Sequence, residues 1–213
     1  MSKIFIIGLP RTGTTSISVA MLEAGFTVAH TAFTKQTFEL ADVISDAPCF
    51  SDFEQLDLLF PNSKFIYLHR DLSQWVPSMQ RLLTKMAEGL TPKGGFFSPV
   101  LKRAFNETFD TEHPHLLTEQ HLKNCYLQHV QHVSNYFHGK DNLLNINLSD
   151  PNSFVALYDF LGLPYQTGEN FPHLNTGSQV AAWKAYKHPN KVSSHSAGKD
   201  HRQFFDYQQG RIS

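Results

Sequence analysis

Residues 3–18 read KIFIIGLPRTGTTSIS: an apolar strand, a turn bounded by Gly8 and Gly13, and the start of a helix. Two glycines with four residues between them let successive backbone N–H groups curl around an anion at the positive end of the helix that follows. The stretch therefore reads as a phosphate-holding loop. It departs from the G-x-x-x-x-G-K-[ST] rule of ATP-binding loops, because Thr14 stands where Lys is required and the only loop cation, Arg11, lies two residues before Gly13. The anion expected here is not the γ-phosphate of ATP.

Outward from this loop, apolar stretches at about 3–8, 26–30, 64–69 and 143–147 read as strands. Helical patterns fall at about 14–24, 51–59, 72–88, 115–138 and 151–162. Strands alternating with helices predict an α/β fold in three layers, a mostly parallel sheet with helices on both faces. Ligands bind such sheets at the carboxyl ends of the strands. Between Gly89 and His113, TPKGGFF and an HPH group punctuate the chain, and an irregular excursion near the mouth of the site is expected. Neither an internal repeat nor a low-complexity linker is visible, so residues 1–213 read as one domain.

A second strand-to-helix junction, KFIYLHRDLSQWVPSM over residues 64–79, ends its strand in His69-Arg70-Asp71. If Asp71 caps the helix, Ser78 lies about two turns along the same face, where it can converge with Arg70. Together the two junctions resemble the PAPS-dependent sulfotransferases, whose 5′-phosphosulfate loop is typically P-[KR]-[ST]-G-T-T. Here it reads Pro10-Arg11-Thr12-Gly13-Thr14-Thr15. DFLGLPYQTGENFPHLN at 159–175 is similar to the closing segment of bacterial and fungal-type members.

The resemblance implies a P-loop NTPase-like sulfotransferase fold and binding of 3′-phosphoadenosine 5′-phosphosulfate (PAPS), without a required metal. Arg11, Thr12, Gly13, Thr14, Thr15 and Ser16 would cradle the 5′-phosphosulfate. Arg70 and Ser78 would take the 3′-phosphate, and the product would be adenosine 3′,5′-bisphosphate. Soluble members carry a catalytic His in T-H-x-P some twenty residues before that Arg. This chain has SDAP at 45–48, which puts Asp46 in the corresponding place, 24 residues before Arg70. Asp46 is the first candidate base, His30 the second and His69 the third. An unperturbed Asp, with a pKa of about 3.9, is a weak base near neutrality unless its surroundings raise it. Arg11, which many members replace with Lys, is read as an electrostatic clamp rather than a general acid, since a guanidinium hardly releases a proton.

Net charge of −1 at pH 7 offers no bulk attraction for nucleic acid. Only six apolar or glycine residues follow Met1-Ser2-Lys3 before Pro10, too few for a signal peptide or a membrane span. With two cysteines, the chain reads as reduced and cytoplasmic, and the resemblance implies a small-molecule acceptor. Homodimers are common in the family, so the resemblance allows a second copy as a partner, with neither nucleic acid nor membrane expected. His121, Cys125, His129 and His132 share a helix side, but they span about 16 Å of axis and cannot meet one ion. From Lys184 onward the tail is locally basic. Within it SAGK at 196–199, or LNTG just before it at 174–177, is a candidate cover for the 3′-phosphate. Alternatives to the transferase are a P-loop kinase and a non-catalytic nucleotide-binding protein.

Overall fold

The computed structural model describes residues 2–166, 168, 170–171 and 182–198. The junction that opens the chain lies at its centre. Strand β1 (Ile4–Ile6) is flanked by β3 (Val43–Ser45) and β4 (Lys64–Leu68), with β2 (Val28–Ala29) and β5 (Leu143–Ile146) outside them. All pairings are parallel, in the order β2-β3-β1-β4-β5. Being covered on both faces, β1 has no polar side, and its alternate residues divide the core. Ile4 and Ile6 pack with Ile66, Ile17 and Leu157 on one face. Phe5 and Ile7 pack with Phe65, Phe53 and Val133 on the other.

The first face is covered by α1 (Thr14–Glu23) and α7 (Ser153–Leu161), the second by α3 (Cys49–Leu59) and α6 (Glu119–Tyr136). A third cluster joins Leu9, Ala47, Phe50, Trp75 and Phe109, where α4 (Leu72–Leu90) and α5 (Pro99–Phe109) meet α3 and α6. The predicted three-layer α/β fold is the one observed.

Four of the described elements had not been expected, the last of them a single-turn helix at Ala182–Ala185. β3 is three residues long, too short to show a period. α2 (Lys35–Leu40) is six residues long, capped by Thr34, whose side chain accepts from the Thr37 N–H. α5 replaces part of the expected irregular excursion. Ser98-Pro99 starts it, with proline where the first-turn N–H needs no partner. Its inner face carries Val100, Ala104, Phe105 and Phe109. Phe105 and Phe109 are therefore core, Phe96 is exposed, and Trp75 is fully buried.

An ion pair fixes α5 to α3. Asp52, with no exposed surface, receives Arg103 Nη1 on Oδ1 at 2.9 Å and Nη2 on Oδ2 at 2.7 Å. Arg103→Ala should cost about 3 kcal/mol, because one buried partner loses its counter-charge. Replacing both residues with apolar ones of similar volume should recover most of that. Urea denaturation of the three proteins checks it.

Candidate active site

The phosphate loop is built by close packing and by the placing of its carbonyls. A Cβ on Gly8 would sit 2.6 Å from Leu68 Cβ and 2.8 Å from Leu68 O, so only glycine lets the loop leave β1 against the end of β4. Three consecutive loop carbonyls are then taken by donors. Leu9 O accepts from Thr12 Oγ1 at 2.7 Å, Pro10 O from Trp75 Nε1 at 2.9 Å and Arg11 O from Arg70 Nη1 at 2.9 Å. Gly13 turns into α1 at φ 115°, and no side chain caps that helix. Its first-turn amides, having no helical partner, are available to an anion. Arg11 itself sits at φ 72°, an uncommon conformation for a long side chain and of the kind found at functional loops.

Arg11, Arg70 and Ser78 converge. Asp71 caps α4 by accepting from Ser73 N–H at 2.7 Å, and Ser78 on that helix accepts from Arg11 Nε at 2.8 Å. Tyr126 of α6 clamps Arg70 through its backbone: the hydroxyl accepts from Arg70 N–H at 2.9 Å and donates to Arg70 O at 3.0 Å. Burial presses the Arg11 pKa down, and the guanidiniums of Arg70 and Arg81 press it further. Cations crowded in this way form a site that a multiply charged anion would relieve. In the sequence Tyr126 is visible only as part of an apolar stripe, and Arg81 carries no signal.

The first two base candidates lie on the other side of β1. Asp46 follows β3 at φ 58°. Its Oδ1 accepts from Ala47 N–H at 2.9 Å, and its Oδ2 accepts from Thr14 Oγ1 at 3.3 Å. His30 follows β2, with Nε2 2.8 Å from Thr15 Oγ1 and Nδ1 3.9 Å from Asp46 Oδ2. These side chains are 16% and 13% exposed, so the pair is shielded yet open to a small group. Burial pushes the Asp46 carboxyl up, against the pull of His30, and pushes the His30 imidazole down. Beneath them Ser18 donates to Thr14 O at 2.7 Å and meets Ser45 Oγ at 2.8 Å. Ser45 in turn donates to His30 O at 3.1 Å, tying the loop to both strand ends.

His69, the third candidate, is exposed at the end of β4, on the side of β1 opposite β3. The helical histidines have separate tasks: His121 Nε2 meets Phe109 O, His129 Nε2 meets Phe50 O and His132 Nε2 meets Glu54 Oε1, each at 2.7 Å. Burial lowers the His129 pKa to about 4.

A family profile described as a sulfotransferase domain matches residues 31–180, well over half of the chain. The chain belongs to the sulfotransferase family. In this sulfotransferase the matched span contains Asp46, Arg70 and Ser78, whereas the phosphate loop and His30 precede it and stand on their own geometry. No curated protein matches the chain. Among the described residues of the sulfotransferase, no helix is long and apolar enough to cross a membrane.

Proposed function

We propose that this sulfotransferase takes its sulfuryl group from PAPS and passes it to a hydroxyl or amine of a small acceptor, releasing adenosine 3′,5′-bisphosphate. The observation that carries the reading is the position of Arg11. Its backbone belongs to the phosphate loop, while its side chain binds Ser78 and its carbonyl holds Arg70, so one residue joins two anion sites. A donor with phosphates at both ends of a ribose fits two such sites. The close packing of Gly8 and the uncapped start of α1 fit a phosphate approaching the backbone.

The chain's own residues divide the chemistry. First-turn amides of α1, with the Thr14 and Thr15 hydroxyls, face the 5′-phosphosulfate. Arg11 stabilises negative charge developing on the bridging oxygen as the sulfur–oxygen bond breaks. Asp46 accepts the proton as the acceptor oxygen or nitrogen bonds to sulfur. Its raised pKa makes it a better base than an exposed aspartate, and neutral His30 beside it stabilises the arrangement through Thr15.

One observation favours a second reading. A magnesium-using kinase needs an Asp at the end of a strand near its phosphate loop. Asp46 directly follows β3, beside β1, and holds the Thr14 hydroxyl. The missing loop Lys opposes that reading.

Calorimetric titration separates the two. Adenosine 3′,5′-bisphosphate should bind tightly without metal, and Ser78→Ala should weaken it roughly 10- to 100-fold, the worth of a hydrogen bond to a charged group. A preference for ATP with Mg²⁺ would instead make the kinase the better reading.

A further inference from the structure

Residues 182–198 lie beyond the family match, yet they finish the wall of the base pair. Lys191 forms a parallel bridge to Val28, with Val28 N–H donating to Asn190 O and Val192 N–H to Val28 O, each at 2.9 Å. Edge strand β2, only two residues long, gains a neighbour in this way. The contact continues along the chain: Ser194 Oγ meets Thr31 Oγ1 at 2.6 Å, and Thr34 Oγ1 donates to Ser196 O at 2.8 Å. The described part of the SAGK segment is thus held at the start of α2, on the β2 side of the sheet, rather than by Arg70 and Ser78. LNTG lies outside the described residues.

At the head of this strap the short helix α8 (Ala182–Ala185) places Trp183 over His30, ring centroids 5.3 Å apart. Lys191 Nζ pins the indole, donating to Trp183 O at 2.5 Å and to Tyr186 O at 2.8 Å, and lying 4.4 Å from the ring centroid. The separation of His30 Nδ1 from Asp46 Oδ2 is too long for a hydrogen bond, so the carboxylate alone does not fix the ring.

We propose that the strap is part of the active site, with Trp183 as a positioning residue that walls His30 from bulk water and holds its imidazole against Thr15 and Asp46. The inference rests on the base pair assigned above. Charges reach His30 from two elements: Asp46 after β3 favours the imidazolium, and Lys191 of the strap opposes it. Thr15 of α1 and Trp183 add no charge. Burial outweighs the carboxylate and keeps His30 neutral below the ordinary imidazole value.

Proton-coupled NMR titration of His30 in the intact chain tests this without an acceptor. In Trp183→Ala, water reaches the ring and the His30 midpoint should rise towards its ordinary value near 6.5. Lys191→Met should raise it too, by removing both the pin and the opposing charge, whereas Trp183→Phe should keep the wild-type midpoint. An unchanged midpoint in the Ala and Met variants overturns the proposal. If Trp183→Ala does not fold, Trp183→Leu, which keeps apolar bulk but not the ring face, takes its place, and an unchanged midpoint there overturns the proposal. Bisphosphate binding, measured on the same proteins, should not change with Trp183. Its absence in the wild type would count against the donor reading and leave the His30 result standing.

Discussion

Asp46→Asn should lower kcat for sulfuryl transfer by roughly 10²- to 10⁴-fold, the range for losing a positioned general base, while adenosine 3′,5′-bisphosphate binds as before. Asn is the right substitution because position 46 lies at φ 58°, a left-handed conformation that Asn tolerates and most residues resist. The amide oxygen can still accept from Ala47 N–H or from Thr14, so the loop keeps its shape. What disappears is the ability to take a proton. In the wild type, kcat should fall as pH drops through the Asp46 pKa, which burial has raised. Stability moves the other way. A carboxyl whose folded pKa exceeds its unfolded value of about 3.9 binds more protons when folded, so stability falls as pH rises between the two values. At neutral pH the variant should therefore melt at a higher temperature than the wild type, with the difference vanishing in acid. A lowered melting temperature with unchanged kcat would identify Asp46 as structural support for the loop and return the base role to His30.

The parts legible in the sequence are those where local chemistry dictates shape. Gly8 and Gly13 bracket a turn that must approach other backbone closely, and the structure shows the clash a Cβ would meet at Gly8. Asp71 before a helical pattern is a cap, and Ser78 lies two turns further because α-helical spacing is fixed. The strand ends could be located from the apolar runs of β1 and β4, so both phosphate motifs were already on one edge of the sheet. Less visible were features created by neighbours far along the chain. β3 spans only Val43–Ser45 and takes its strand form from the registers with β1 and β2, not from any period of its own. His30 and Asp46 are 16 residues apart, and only the crossing from β2 to β3 brings them within 3.9 Å. Tyr126 reaches Arg70 across 56 residues, and Trp183 reaches His30 across a still longer interval. A one-dimensional pattern carries no signal for such pairings, since each residue also satisfies an ordinary packing role. α5 is a different case. Its cap, its first-turn proline and its apolar spacing were all present, but the glycines before it and the HPH group after it drew the reading towards a loop.

Arg70→Ala should weaken adenosine 3′,5′-bisphosphate by roughly 30- to 1000-fold, within the range for truncating one partner of a hydrogen-bonded charge pair. Two losses combine. The guanidinium no longer meets the 3′-phosphate, and Arg11 O loses its donor, so the loop that faces the 5′ end relaxes as well. The nearby charges of Arg11 and Arg81 remain and keep the effect below that of an isolated ion pair. Arg70→Lys separates the two contributions: it retains a positive charge but lacks the planar fork needed to serve both a carbonyl and a phosphate, so its affinity should fall between those of wild type and Ala. Raising the salt concentration should weaken wild-type binding more steeply than that of the Ala variant, because fewer charges then contribute. Folding should change by no more than about 1 kcal/mol, since Arg70 is only partly buried and the Tyr126 bonds reach its backbone rather than its side chain. If the Ala variant binds the bisphosphate as tightly as the wild type, the 3′-phosphate does not sit at Arg70. The junction of β4 and α4 would then serve only to brace the phosphate loop.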